Sequence, residues 1–353
     1  MKLKLIRIFF ILSLIYVSGG LWSPLKAQTQ KASSIEFIKN EAEKRVDVMI
    51  DGKLFTSYCW PENVYKPILY PVYTSAGTEI TRGFPLKPRA GERNDHIHQV
   101  GIWLNYGNVN GFDFWGNGHR GVKEPNGGEV KHLSFEKLSD GTGEGEIVTI
   151  ESWLDPDGKE IFVEKTEYHF IARGSLGIID RITTLTATNG AVEMKDTKEG
   201  MFGIRVARQL ELPSKDAVVL LDAQGNPGEK VVTNEGVTGN YRSSEGITGL
   251  GVWSTRAKWM LLYGTIGDEK ISLVVCDHPK NQSYPTYWHA RGYGLFAANP
   301  LGANDFTGGK EVLNFSVPAG ESVIFRYRVI VGSGSYLTDD EINELAQDFE
   351  GKY

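Results

Sequence analysis

Polar and apolar residues alternate along much of this chain. From Arg45 to Ile50, Val46, Val48 and Ile50 fall on one side of an extended segment and Arg45, Asp47 and Met49 on the other. Asp51-Gly52 separates this run from a second one, Lys53 to Tyr58. Asp-Gly between two such runs predicts a β-hairpin. Ile147 to Trp153 and Lys159 to Ala172 flank Asp155-Pro156-Asp157-Gly158 and predict another hairpin. In its second arm Phe162, Glu164, Thr166, Tyr168 and Phe170 share one face. Leu176 to Thr188 predicts a further long strand, as does Val323 to Val331, which is entered through the turn Pro318-Ala319-Gly320-Glu321. The period changes near the C-terminus. There Ile342, Leu345, Ala346 and Phe349 recur at helical spacing, Thr338 with Glu341 forms a capping box, and Gly351 is the expected stop.

Many long antiparallel runs and one short C-terminal helix predict an all-β fold, an antiparallel β-sandwich. The 41 Gly, with abundant Thr, Val, Ile and Tyr, suit strands joined by tight turns. No Gly-rich dinucleotide or phosphate-binding motif, fixed-period repeat or long linker interrupts the pattern.

The first residues have a different character. Lys2, Lys4 and Arg7 precede the apolar run Ile8 to Val17, and small residues lead to Ala27. A run of about ten residues is half the ~20 that a spanning helix needs. Residues 1–27 are expected to be a secretory signal peptide and 28–353 one exported domain, periplasmic or secreted, with no membrane insertion after cleavage. The formal net charge is −6, and residues 1–27 hold four cations and no acid, so the remainder carries −10. An acidic chain without a basic run excludes nucleic acid as a natural partner. Neutral small molecules, sugars included, remain. Cys59 and Cys276 are compatible with a disulfide in an exported protein, but two buried free thiols are the favoured reading.

Candidate chemistry clusters in Gly- and Pro-broken segments. Asp95-His96-Ile97-His98 has two imidazoles at i and i+2, which in a strand would share a face. Such a pair suits acid/base work or substrate hydrogen bonding; two residues do not make a metal site, and none is expected. Asp113-Phe114-Trp115-Gly116 offers a carboxylate and a flat apolar ring for sugar stacking, whereas Trp103 belongs to an apolar run and is a core residue. Glu199 and Arg205 bracket a Gly-rich strand start, either as a structural pair or as a carboxylate and cation for a polar substrate. Asp277-His278, then His289-x-Arg291 and Asn299, complete the set. His132 and His169 lie in plain strand patterns and are structural. No nucleophile elbow or cysteine–histidine spacing is present, so acid/base chemistry is favoured over covalent catalysis.

These segments resemble a bacterial family of unknown function that carries the label methane oxygenase PmoA. The matching pieces are Asp95-His96-x-His98 with Gly101-Ile102-Trp103, Asn108 to Gly116, Glu199 to Arg205, Asp277-His278-Pro279-x-Asn281, Trp288-His289-x-Arg291-x-Tyr293-Gly294 and Ala298-Asn299-Pro300-x-Gly302. They span about residues 60 to 335. The family often has a third His and an Arg where this chain has Gln99 and Val100, which weakens a metal site there. A methane monooxygenase subunit is a membrane protein, so the oxygenase label does not fit a chain without a later spanning segment. The resemblance implies a galactose-mutarotase-like β-supersandwich and a carbohydrate partner. From the clustering of these groups, His96 or His98 and His289 are the expected acid/base residues, with Glu199 or Asp277 as partner carboxylate. Trp115, Asp113, Arg205, His278, Arg291 and Asn299 are expected to hold substrate. No cofactor is expected. The alternative is a non-catalytic sugar-binding protein on the same fold.

Overall fold

The computed structural model describes residues 32–353. The expected signal peptide and its cut at Ala27 lie outside the described residues. Two large antiparallel sheets dominate. One has nine strands in the spatial order Tyr287–Ala290, Leu295–Asn299, Gly200–Arg205, Ile102–Tyr106, Ile68–Val72, Lys53–Cys59, Arg45–Ile50, Ser34–Asn40 and Gly141–Thr142. The other has eight: Asn240–Ser243, Trp259–Ile266, Glu269–Asp277, Ser322–Ser333, Leu176–Ala187, Glu160–Arg173, Glu144–Leu154 and Glu129–Ser139. The all-β sandwich with a C-terminal helix is therefore as the alternation predicts.

Local chemistry explains the hairpins. Asp51 and Gly52 both take positive φ, 48° and 73°, and Ile50 pairs with Lys53 across them. That is the backbone a two-residue hairpin requires. At the second turn Asp155 Oδ1 accepts from the backbone N–H of Asp157 and of Lys159, each at 2.9 Å.

One apolar core fills the space between the sheets and draws on both, with Val48, Ile102, Phe202 and Trp288 from the first and Phe170, Ile179, Val275 and Val329 from the second. The predicted inward face of Glu160–Arg173 is buried, Glu164 included. Its carboxylate accepts from Trp153 Nε1 (2.7 Å), Arg181 Nη2 (2.7 Å) and Thr166 Oγ1 (2.6 Å), so the buried acid is fully partnered.

The helix, Asp339–Lys352, has the capping box at Thr338 and Glu341. Ile342, Leu345, Ala346 and Phe349 pack it on the outer face of the eight-stranded sheet, against Ile178, Trp259 and Ile330. It runs through Gly351 to Lys352, so Gly351 does not stop it. Cys59 and Cys276 are both free thiols. Among the described residues no helix is long and apolar enough to cross a membrane.

Candidate functional site

The period-two alternation of the strands exposes a second face on the nine-stranded sheet, turned away from the core. On Tyr287–Ala290, Trp288 and Ala290 enter the core, which leaves Tyr287 and His289 outside. On Leu295–Asn299, Phe296 and Ala298 point in, while Leu295 and Ala297 join an outer apolar cluster with Trp103 and Trp115. Gly203 sits opposite Trp103 in the register, and a Cβ there would lie 2.7 Å from the indole. Only glycine lets that ring lie flat across the strand.

A cavity of about 490 Å³ opens on this face, within the range of small-molecule sites. Its walls come from four separated stretches of chain. The turn before Ile102–Tyr106 supplies His96, His98 and Gln99, and the loop after it supplies Asp113, Trp115, Gly116 and His119. Lys198 and Glu199 enter at the start of Gly200–Arg205; His289, Arg291 and Tyr293 come from the edge strand and its turn. Seven of the expected residues thus converge: His96, His98, Asp113, Trp115, Glu199, His289 and Arg291.

The 95–99 segment is a turn and not a strand, with φ of 46° at His96. Two buried arginines shape it. Arg82 donates to the carbonyl oxygens of Asp95 (2.7 Å), His96 (2.9 Å) and Gln99 (3.0 Å). Arg205 donates to Gln99 Oε1 and Asp95 Oδ1, both at 2.6 Å. Burial opposes ionisation of Asp95, but its hydrogen bond to His96 and the Arg205 and Arg82 charges outweigh that and hold the carboxyl well below its usual range. The His96 ring stacks on Tyr293 at 4.7 Å with 3° between the planes, and its centroid is 5.9 Å from that of His98.

The imidazoles differ in exposure. His96 is exposed, His98 half-buried and His289 buried. Burial, with the Lys66 ammonium nearby, pushes His98 down to about 2. Lys66 is itself buried, donates to the His98 carbonyl oxygen at 2.6 Å, and is pushed down to about 7 by desolvation. Burial also lowers His289, against the pull of the Glu199 carboxylate. At neutral pH His98 and His289 are therefore uncharged. Asp113 moves the other way, because burial raises its carboxyl despite backbone donors. Its Oδ1 accepts from Gly116 N–H at 2.7 Å, and a Cβ on Gly116 would come within 2.4 Å of Oδ2. Glu199 pairs with Lys198 at 2.9 Å.

Four expected residues stand elsewhere or play another part. Asp277 ends a strand of the eight-stranded sheet, accepting from Asn281 Nδ2 (2.7 Å) and Thr286 N–H (2.8 Å). The His278 ring meets Phe349 of the C-terminal helix edge-on at 5.1 Å, and its Nδ1 accepts from Lys280 N–H at 3.1 Å. Between them and His289 the chain crosses from one sheet to the other, so neighbours in sequence are parted in space. Arg205 lies behind the cavity wall, fully buried, and holds no position from which to touch substrate. Asn299 is also fully buried; it donates to Thr197 O (2.9 Å) and accepts from Leu301 N–H (3.0 Å). It props the Lys198–Glu199 loop.

Trp115 requires a further correction. Its ring is 1 % exposed and packs on Trp103 with centroids 5.0 Å apart. It braces the wall, and the flat surface near the opening belongs to Tyr293 and His96. Sequence reasoning did not single out Gln99, His119, Lys198 or Tyr293. Tyr293, two residues beyond Arg291, carried the strongest available signal. Among the described residues, one trio of ligand-type groups lies within reach of a single ion: Glu146, Glu167 and His169, away from the cavity. Acidic groups of this kind commonly cluster without a metal.

Residues 45–347 match the model of a family of unknown function, DUF6807. The chain belongs to that family. No methane-oxygenase label accompanies the DUF6807 match. No curated protein matches the chain. Among solved structures it is similar to an α-galactosidase from Lactobacillus brevis, at 9 % identity over 85 % of this chain and 39 % of that one, with a TM-score of 0.38. An α-galactosidase from Geobacillus stearothermophilus gives 11 % identity, 85 % and 40 % coverage and a TM-score of 0.35. A galactose mutarotase related enzyme from Lactobacillus acidophilus gives 8 % identity, 85 % and 97 % coverage and a TM-score of 0.27. This DUF6807 chain spans about two fifths of the length of the α-galactosidases it matches. Likenesses this distant assign it no activity.

Proposed function

We propose that the protein is an exported carbohydrate-active enzyme, a single domain from residue 28 onward, that binds a sugar in the outer cavity and transforms it by acid/base chemistry. The observation that carries this reading is the meeting of His289, Asp113, Glu199 and Arg291 in one cavity beside the stacked rings of Tyr293 and His96. Sugars present many hydroxyls and a few apolar C–H faces. A cavity with donors, acceptors and flat rings matches both.

Burial leaves the His289 imidazole neutral and raises the Asp113 carboxyl above its ordinary range. A neutral imidazole accepts a proton, and a carboxyl with raised proton affinity is suited to pass one on, the division that hydrolysis, elimination and epimerisation share. Glu199 stabilises positive charge on His289 as it takes up the proton. Arg291 holds a substrate oxygen. Arg205 and Asn299 are positioning residues.

The test is turnover of a panel of oligosaccharides and oxidised sugars by wild type, His289→Gln and Asp113→Asn, with products resolved by mass. Each variant is expected to lose at least about 100-fold, the size of a general acid/base contribution. With His289 as base, wild-type activity falls only as pH drops well below 6.5, and His289→Gln lacks that acid limb. Equal turnover by all three proteins removes both residues from the mechanism. Tight binding without any product supports the non-catalytic sugar-binding alternative instead.

A further inference from the structure

A second cavity, of about 360 Å³, adjoins the first. Arg291 and Tyr293 line both, so the two meet at these residues. The beyond side is different in kind. Leu250 and Trp253 supply apolar lining, and Arg93, Ser214 and Asp216 supply polar lining. Leu250 is 65 % exposed, although it is a large apolar residue. A Cβ on Gly292 would come within 2.9 Å of Leu250, so glycine there lets this wall stand close to the passage.

Flat groups run in a row across the boundary. The Arg291 guanidinium lies 5.5 Å from the Trp253 ring and 5.9 Å from the Tyr293 ring, and Tyr293 stacks on His96. The nearby arginines are neutralised: Arg93 donates to Glu211 at 2.7 Å and Arg205 to Asp95 at 2.6 Å. Arg291 has no ion pair with a carboxylate among the described residues, and rings are its partners. A guanidinium held between two aromatic faces, at the junction of two cavities, is pre-oriented for an anion.

We propose that the two cavities are adjoining subsites of one groove for an acidic oligosaccharide. An anionic substituent, carboxylate or sulfate, meets Arg291 at the junction, and the neighbouring sugar ring lies along Leu250 and Trp253. The proposal rests on the sugar-binding reading of the first cavity and adds the length and charge of the ligand.

A glycan array tests it, carrying neutral, uronate-bearing and sulfated glycans of one to four residues and probed with the mature chain. Wild type is expected to bind acidic glycans of two or more residues about tenfold more tightly than single residues, one decade being the effect of one good contact. Leu250→Ala and Trp253→Ala lower that long-to-short ratio towards one. Arg291→Gln lowers the acidic-to-neutral ratio towards one, and the uronate and sulfate arms tell which anion is read. The exposed position of Leu250 makes its variant the safeguard against misfolding, checked by unchanged thermal melting. Binding that is independent of length, or equally strong for neutral glycans, overturns the groove while leaving the first cavity's role intact. Failure of wild type to bind any glycan overturns both.

Discussion

Asp277 shows how residue chemistry can mislead and still matter. Its neighbours in sequence mark it as catalytic, yet its carboxyl is sealed between Asn281 and Thr286, and burial pushes it up to about 7. The folded state then holds a proton that the unfolded chain, near 3.8, has lost. Stability from this group is therefore full below about pH 4 and is lost as pH rises through about 7. Melting temperatures measured from pH 4 to 8 should fall over that window in wild type and flatten in Asp277→Asn; an unchanged slope would show that Asp277 is not the group responsible. The placing of His289 and Arg291 beside the cavity was legible because His289 lies on a true edge strand and Arg291 directly follows it. His96 and His98 converge for a different reason, the arginine-clamped turn. Arg205 and Asn299 were misjudged because polarity alone does not tell a side chain that touches a ligand from one that supports its neighbours.

At the scale of elements, the patterns set by nearest neighbours were legible: the Asp51-Gly52 hairpin, the Asp155 turn and the capped helix. What fastens the helix was not. Arg328 is fully buried and makes a paired contact with Asp180, at 2.6 and 2.7 Å, reaching also Leu345 O and Asp348 at 2.7 Å each. These partners lie on Leu176–Ala187 and the helix, far apart in sequence, so no local period reveals them. Arg328→Ala strands the buried Asp180 carboxylate and should cost about 3–5 kcal/mol, read from denaturant unfolding, with faster amide exchange in Asp339–Lys352. Arg328→Met with Asp180→Leu, which removes both charges, should cost less. If the double variant is as unstable as the single one, the ion pair is not what the single variant measures.

At the scale of the whole molecule, the sandwich was legible from alternation, because each strand must bury one face. Which outer face carries the site was not, since that depends on the order of strands across the sheet. Two faces lie outside the core: the helix covers part of one, and the cavity opens on the other. The proposed export belongs to this scale too. Intact mass of protein recovered from the culture medium or periplasm should correspond to a chain beginning at Gln28; an uncleaved chain retained in the cytoplasm would contradict export.

The register of Ile102–Tyr106 against Gly200–Arg205 has a consequence for how the molecule is made. These strands pair across nearly a hundred residues, Trp103 facing Gly203, whereas the hairpins close over a few. Loop closure favours the short connections first. On this ground the walls of the cavity are expected to close after most of the hairpins that carry them, and a partly folded chain would lack the cavity. A ligand that binds only the finished site acts on the last step of assembly, drawing the completed fold forward by mass action and leaving the early steps untouched.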